Sequence, residues 1–257
     1  MTGIPALPSR HKDSQTRGRT YMAGLRIFET DPSAKPKPRQ FADDFVGRFR
    51  TGRQVNNRPE QLSTFRITTG DPSIADAVSK LYGGKPSEWE TSGEDHNEVI
   101  TEADKVLVVI DGPAALTADM KLWGRSGLIH HCDGVEFLSP DEDKGQPCGC
   151  PALMEDRKAQ AKSGRGPQPN TNLVFRLADD YHLGKFRFQS TSWKLAEVIH
   201  EIDEALSRHK GEVLAELSLE LVEFTTKSGR DVSYRKPVVK VLKPWADAVA
   251  DDADTDY

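Results

Sequence analysis

The chain has 257 residues, 36% of them hydrophobic and 29% charged, with a formal net charge of −5. That length can bury the core of one large domain or two small ones. No apolar run approaches the roughly 20 residues of a membrane-spanning helix; the longest is Val106 to Ile110. Met1 to Arg19 is polar and basic and lacks the apolar stretch of a secretory signal. Three cysteines, an odd number, argue against a disulfide framework. The expectation is a protein of a reducing cytoplasm with no membrane contact.

The charge is unevenly spread. Residues 1–60 carry 12 Lys/Arg against 6 Asp/Glu, whereas the last twelve residues carry five aspartates and no base. A uniformly basic nucleic-acid binder does not look like this. A basic head and an acidic tail suit solvated ends or an electrostatically matched protein partner.

Met1 to Tyr21 has breakers and charges but no apolar period and reads as a disordered tail, with Met22 as an alternative start. Asp31 to Gln40, with three prolines, reads as an extended linker. Phe41, Phe45 and Phe49 recur every fourth residue, which predicts a short helix. Ser63–Thr69 alternates around Phe65 and Ile67 as a strand does. Asp71-Pro72-Ser73 then opens a helix with Ile74, Ala77, Val78 and Leu81 on one stripe, stopped at Gly83-Gly84. Val106–Ile110 reads as a buried strand. Arg157–Gln168, rich in Lys, Arg and Gly, reads as a mobile basic arm. Leu173–Leu177 and Lys185–Gln189 form a hairpin through His182-Leu183-Gly184. Ser192 caps a helix striped by Leu195, Ile199, Ile202 and Leu206 and ended by Gly211. Val213–Leu221 alternates as a long strand, and Asp231–Leu242 returns beside it; Pro237 puts the return at an edge. Strands and helices without regular βαβ alternation predict an α+β fold with a mixed or antiparallel sheet, one domain over 22–245, and a disordered acidic tail over 246–257.

The chemically specific stretch is Ile129 to Met154. It holds all three cysteines, as Cys132 and Cys148-Gly149-Cys150, and two adjacent histidines, His130 and His131. Three thiolates and one imidazole make the closed four-ligand set of a structural zinc ion. Gly149 lets the Cys-x-Cys pair reach one metal. The loop from Phe137 to Pro147 has no core residue after Leu138, so a metal would hold it. His131, next to Cys132, is the expected fourth ligand, ahead of His130 and of an acid such as Asp133. The expected set is therefore Cys132, Cys148, Cys150 and His131, in a zinc-binding insertion over about 128–168. Buried, inert cysteines are the alternative, but Cys148 and Cys150 stand among Gly, Pro and charge.

A catalytic zinc needs an open coordination position and usually a neighbouring base. Neither a His-Glu-x-x-His nor a deaminase-type Pro-Cys-x-x-Cys is present; the sequence here is Pro147-Cys148-Gly149-Cys150. Phosphate-binding loops, dinucleotide fingerprints and Gly-x-Ser-x-Gly elbows are absent as well. The residues thus describe a zinc-stapled, non-enzymatic interaction protein.

Several blocks together resemble a known family. They are Leu25 to Pro32, Gly47-Arg48-Phe49-Arg50, Phe65 to Asp71, Cys132-Asp133-Gly134, Cys148-Gly149-Cys150-Pro151, and Arg176-Leu177 through Gly184-Lys185-Phe186-Arg187-Phe188-Gln189-Ser190 to Trp193. In these the chain looks like the recombination directionality factors that actinophages pair with large serine integrases, over about residues 22–245. The resemblance implies a protein that binds the integrase on its attachment sites. It would switch the enzyme from integration (attP with attB) to excision (attL with attR), with little DNA binding of its own. It also implies contact with the integrase's coiled-coil and zinc-ribbon region. Members carry a further cysteine in the segment matching Gly164-Arg165-Gly166, where this chain has Pro167 nearby. Either a histidine of the 130–131 pair replaces that ligand or the site is incomplete. The alternative function is a phage replication accessory that binds single-stranded DNA through the basic head and the aromatics.

Overall fold

The structure is a computed structural model, and it describes residues 45–56, 58–91 and 93–255, the last four as backbone only. Expectations for the N-terminal tail, Met22, the proline linker and Phe41 lie outside the described residues.

Among the described residues twelve strands form one branched sheet. In chain order they are β1 (Gly47–Val55), β2 (Arg58–Thr69), β3 (Pro86–Glu88), β4 (Asn97–Ile100), β5 (Lys105–Asp111), β6 (Leu116–Gly124), β7 (Gly127–Cys132), β8 (Phe137–Ser139), β9 (Gln168–Leu177), β10 (Phe186–Ser190), β11 (Glu212–Thr225) and β12 (Asp231–Pro244). The main path runs β12-β11-β5-β9-β10-β1-β2-β4-β3, with β6, β7 and β8 branching from β9. Only β1 and β10 pair in parallel, Phe49 opposite Phe188; the other described pairs are antiparallel. Among the described residues five α-helices accompany the sheet: α1 (Pro72–Tyr82), α2 (Met154–Lys162), α3 (Trp193–Glu197), α4 (Ile199–Ser207) and α5 (Trp245–Thr255). The class is α+β, as the sequence indicates.

The core is aromatic at its centre. Phe49 meets Phe65, Phe175 and Phe186 edge to face at 5.5, 5.2 and 5.5 Å between ring centroids. Ile74, Val78 and Tyr82 of α1, Leu195 of α3 and Ile202 and Leu206 of α4 close the core around it. The alternation that buries Phe49 and Phe188 turns Arg48, Arg50, Arg66 and Arg187 to the opposite face of the sheet. There Arg48 pairs with Asp95, and Arg66 pairs with Glu98 beneath the Trp89 ring. Burial, and then the neighbouring arginines, pull the Arg50 pKa down.

Four expectations are corrected. The four-residue recurrence of phenylalanines does not make a helix at Phe49, which sits in β1. The period-two pattern Arg48-Phe49-Arg50 across the sheet outweighs the helical spacing. The basic arm from Arg157 begins inside α2, where Ala159, Ala161, Lys158 and Gln160 are good helix formers and Ala161 is buried; Gln168 opens β9. The helix capped by Ser192 is split at Val198, which leaves the helical region at φ −111°. The acidic tail carries α5, anchored by buried Ala248 and by Trp245 stacked on Tyr181 at 5.9 Å. Other local expectations fit: Asp71 accepts from the Ser73 backbone N–H at 2.8 Å as an N-cap, and Pro237 lies in the terminal strand β12.

Candidate metal centre

The site is built on the branch of the sheet. β6 and β7 form a hairpin in which Met120 faces Cys132 and Leu122 faces His130. Side chains alternate along a strand, so residues two apart share a face. His130 and Cys132 are therefore on one face and His131 on the other.

Beyond Cys132 the chain turns through Asp133-Gly134. The Asp133 carboxylate accepts from the Val135 and Glu136 backbone N–H groups at 2.7 and 2.8 Å, which holds its pKa below the ordinary carboxylate range. That turn and β8 fold the loop back. The Phe137 N–H donates to Gln146 O at 2.9 Å and the Cys148 N–H to Val135 O at 2.8 Å. Gly149 then takes φ +70°, a left-handed conformation that places Cys148 and Cys150 on the same centre.

The result is a cluster of His130, Cys132, Cys148 and Cys150, whose ligand atoms all lie within 4.8 Å of one another and which could hold a metal ion. Cys132 and Cys148 are buried, at 0% and 7% exposure. The sulfurs of Cys132 and Cys150 are 3.8 Å apart, and Cys150 Sγ is 3.5 Å from His130 Nε2. A tetrahedral ion with metal–sulfur bonds of about 2.3 Å and metal–nitrogen bonds of about 2.05 Å needs separations of about 3.8 and about 3.6 Å. The donor set and these two separations fit such an ion. Without it, burial pushes the Cys132 thiol up to about 12 and raises that of Cys150, while burial and then the His131 charge lower His130. A metal binding here would displace thiol protons and find a neutral imidazole already favoured. The His130 ring packs on Phe137 at 4.8 Å.

The sequence expectation placed His131 in the set, and the structure places it elsewhere. Its ring lies between Ser139 Oγ at 2.9 Å and the Asp119 carboxylate at 3.1 Å. Asp119 also accepts from Asn170 at 2.6 Å and pairs with Lys121 at 2.9 Å. Burial works against ionisation of Asp119, but these partners outweigh it and hold its pKa low. Asp133, the remaining alternative, is used in the turn. Sequence reasoning missed the β6–β7 hairpin. Gly124-Arg125-Ser126-Gly127 between Leu122-Trp123 and Leu128-Ile129 was the available signal.

With this geometry in hand, the class is an α+β protein whose sheet carries the alternating Arg/Phe blocks of β1 and β10 and a His/Cys cluster that could hold a metal ion. The sequence model of the Gp3-like family, described as recombination directionality factor-like, matches residues 46–242. The chain belongs to that family. No solved structure matches it. The match takes in the whole sheet except the final residues of β12, and all four clustered side chains. Among the described residues no helix is long and apolar enough to cross a membrane.

Proposed function

We propose that this chain is the directionality factor of a phage large serine integrase. It binds the integrase on its attachment sites and shifts it from attP × attB to attL × attR recombination. The observation that carries the reading is the family match, which spans the described domain from β1 to β12. In physical terms the factor must bind one arrangement of the integrase better than the other, because a ligand with equal affinity for both shifts nothing. The integrase's coiled-coil and zinc-ribbon region is the contact that the family resemblance implies.

The metal in this reading is a structural zinc ion held by His130, Cys132, Cys148 and Cys150, with all four positions filled by protein. It would supply folding energy to a loop whose apolar content is too small to fold it. The accessory single-strand-binding reading finds less support. Phe49, Phe65, Phe175, Phe186 and Phe188 are packed in the core, and Trp245 is stacked on Tyr181, so these rings are already used.

The test is recombination in vitro with purified cognate integrase. The protein should permit attL × attR recombination and inhibit attP × attB. Binding to single-stranded DNA with steep salt dependence, and no effect on either reaction, would replace this reading with the accessory one.

A further inference from the structure

Between the middle of β1, the end of β10 and strand β12 lies a cavity of about 430 Å³, a size that takes a small organic ligand. Arg50 and Arg235 line it together with hydroxyl and amide side chains, and none of its lining residues is an aspartate or glutamate. Gln61 ties its two sides together. The Gln61 side-chain N–H donates to Arg235 O at 2.5 Å, and its side-chain oxygen accepts from the Arg235 backbone N–H at 3.3 Å.

The acids of the surrounding strands and loops each have an arginine of their own. Asp95 pairs with Arg48, Glu98 with Arg66, Glu60 with Arg53 and Asp104 with Arg235. Arg50 is the cation left over. Its Nε donates to the Thr68 hydroxyl at 3.2 Å, and it pairs with no carboxylate among the described residues. Burial, and then the fields of Arg48, Arg66 and Arg187, lower its pKa, with Asp95 opposing them in part. That is the condition of a cation short of counter-charge.

The hydroxyls of the cavity are set to donate. Ser190 Oγ accepts from the Ser192 backbone N–H at 3.1 Å, and Ser192 Oγ accepts from the Leu195 N–H at 3.3 Å. Each therefore keeps its own O–H proton for a further acceptor. The Thr191 and Tyr234 hydroxyls make no hydrogen bond among the described residues. A lining with spare positive charge, several donors and no carboxylate suits a group that is anionic and rich in acceptor oxygens. Phosphate is that group, with more oxygens to share among these donors than a carboxylate has.

We infer that this cavity binds a phosphate ester, with Arg50 and Arg235 supplying the charge and the Ser190, Thr191, Ser192 and Tyr234 hydroxyls donating to its oxygens. The phosphate belongs to a free nucleotide or to the backbone of DNA, and the two sources present the same chemistry to the cavity. The inference stands on the cavity alone and holds whether or not the chain directs an integrase.

The experiment is titration calorimetry of the full-length protein at low ionic strength, where charge pairing is least screened. The probes are thymidine monophosphate, thymidine, and a short DNA duplex. Thymidine monophosphate or the duplex should bind, and thymidine, which lacks only the phosphate, should not. Arg50→Gln removes a charge from among three others, so the variant should fold. Thr191→Glu puts a carboxylate at an exposed position of the lining. Each should weaken the binding about tenfold or more, while Ser207→Glu, an equal charge change exposed at the end of α4, should bind as wild type does. Circular dichroism checks the fold of each variant. Binding of the nucleotide alone assigns the phosphate to a free ligand. Tighter binding of the duplex, with the same loss in both variants, assigns it to a DNA backbone. The inference is overturned if neither phosphate probe binds better than thymidine. It is equally overturned if Arg50→Gln and Thr191→Glu stay within twofold of wild type.

Discussion

At the scale of single residues, the two adjacent histidines face opposite ways because they sit on a strand. His130 shares a face with Cys132, and His131 shares a face with Asp119. His130→Ala should therefore abolish stoichiometric metal retention, whereas His131→Ala should keep the metal and lose about 1–2 kcal/mol from the Ser139 and Asp119 contacts. Metal analysis of the two purified variants checks this; metal lost with His131 and kept with His130 would reverse the assignment. The Asp119 carboxyl titrates below its ordinary value in the folded protein. A depressed pKa gives stability that is present above the unfolded value, about 3.9, and fades as pH falls through the folded value. The stability difference between wild type and Asp119→Asn in urea should thus be largest near pH 7 and shrink below about pH 4. A difference that grows on acidification would contradict the network.

Among the elements, β1, β2, β9 and β10 are the fold's centre, and Phe49 is the residue where their side chains converge. Phe49→Ala should cost about 3–5 kcal/mol, the range for a large buried aromatic. Asp71→Ala should cost only about 1 kcal/mol through its lost N-cap bond. Urea unfolding of both variants gives the comparison, and equal costs would mean the aromatic centre is not where stability resides. These elements were largely legible in the sequence. β2, β5, β9 and β11 alternate or run apolar, and α1 has a cap, a proline at its start and paired glycines at its end. What misled was local evidence pitted against distant evidence. The spacing of Phe41, Phe45 and Phe49 satisfies a helix, but Phe49 is decided by partners more than a hundred residues away in β9 and β10. The three cysteines were readable as candidate ligands from their chemistry. The fourth partner depended on the facing of β7, which its mixed polar and apolar residues did not announce.

For the whole molecule, a family-defining sheet carries a knuckle whose apolar contacts are few, Phe137 against the His130 ring among them. The knuckle loop buries Cys132 and Cys148 but leaves Val135, Leu153 and Met154 exposed, so under the proposed metal reading a bound ion supplies much of its order. Chelation should lower the midpoint of thermal unfolding and loosen residues 132–154 in hydrogen exchange, while β1, β2 and β10 keep their protection. Uniform loss of protection across the sheet would mean that the metal supports the entire fold and not the branch alone.

The claim on which the rest depends is the switch in recombination direction. The direct measurement is recombination by purified cognate integrase on attL × attR and on attP × attB, with and without stoichiometric protein. Excision is expected only when the protein is present, with integration suppressed by it. Unchanged yields in both reactions, at concentrations where the two proteins bind, would contradict it.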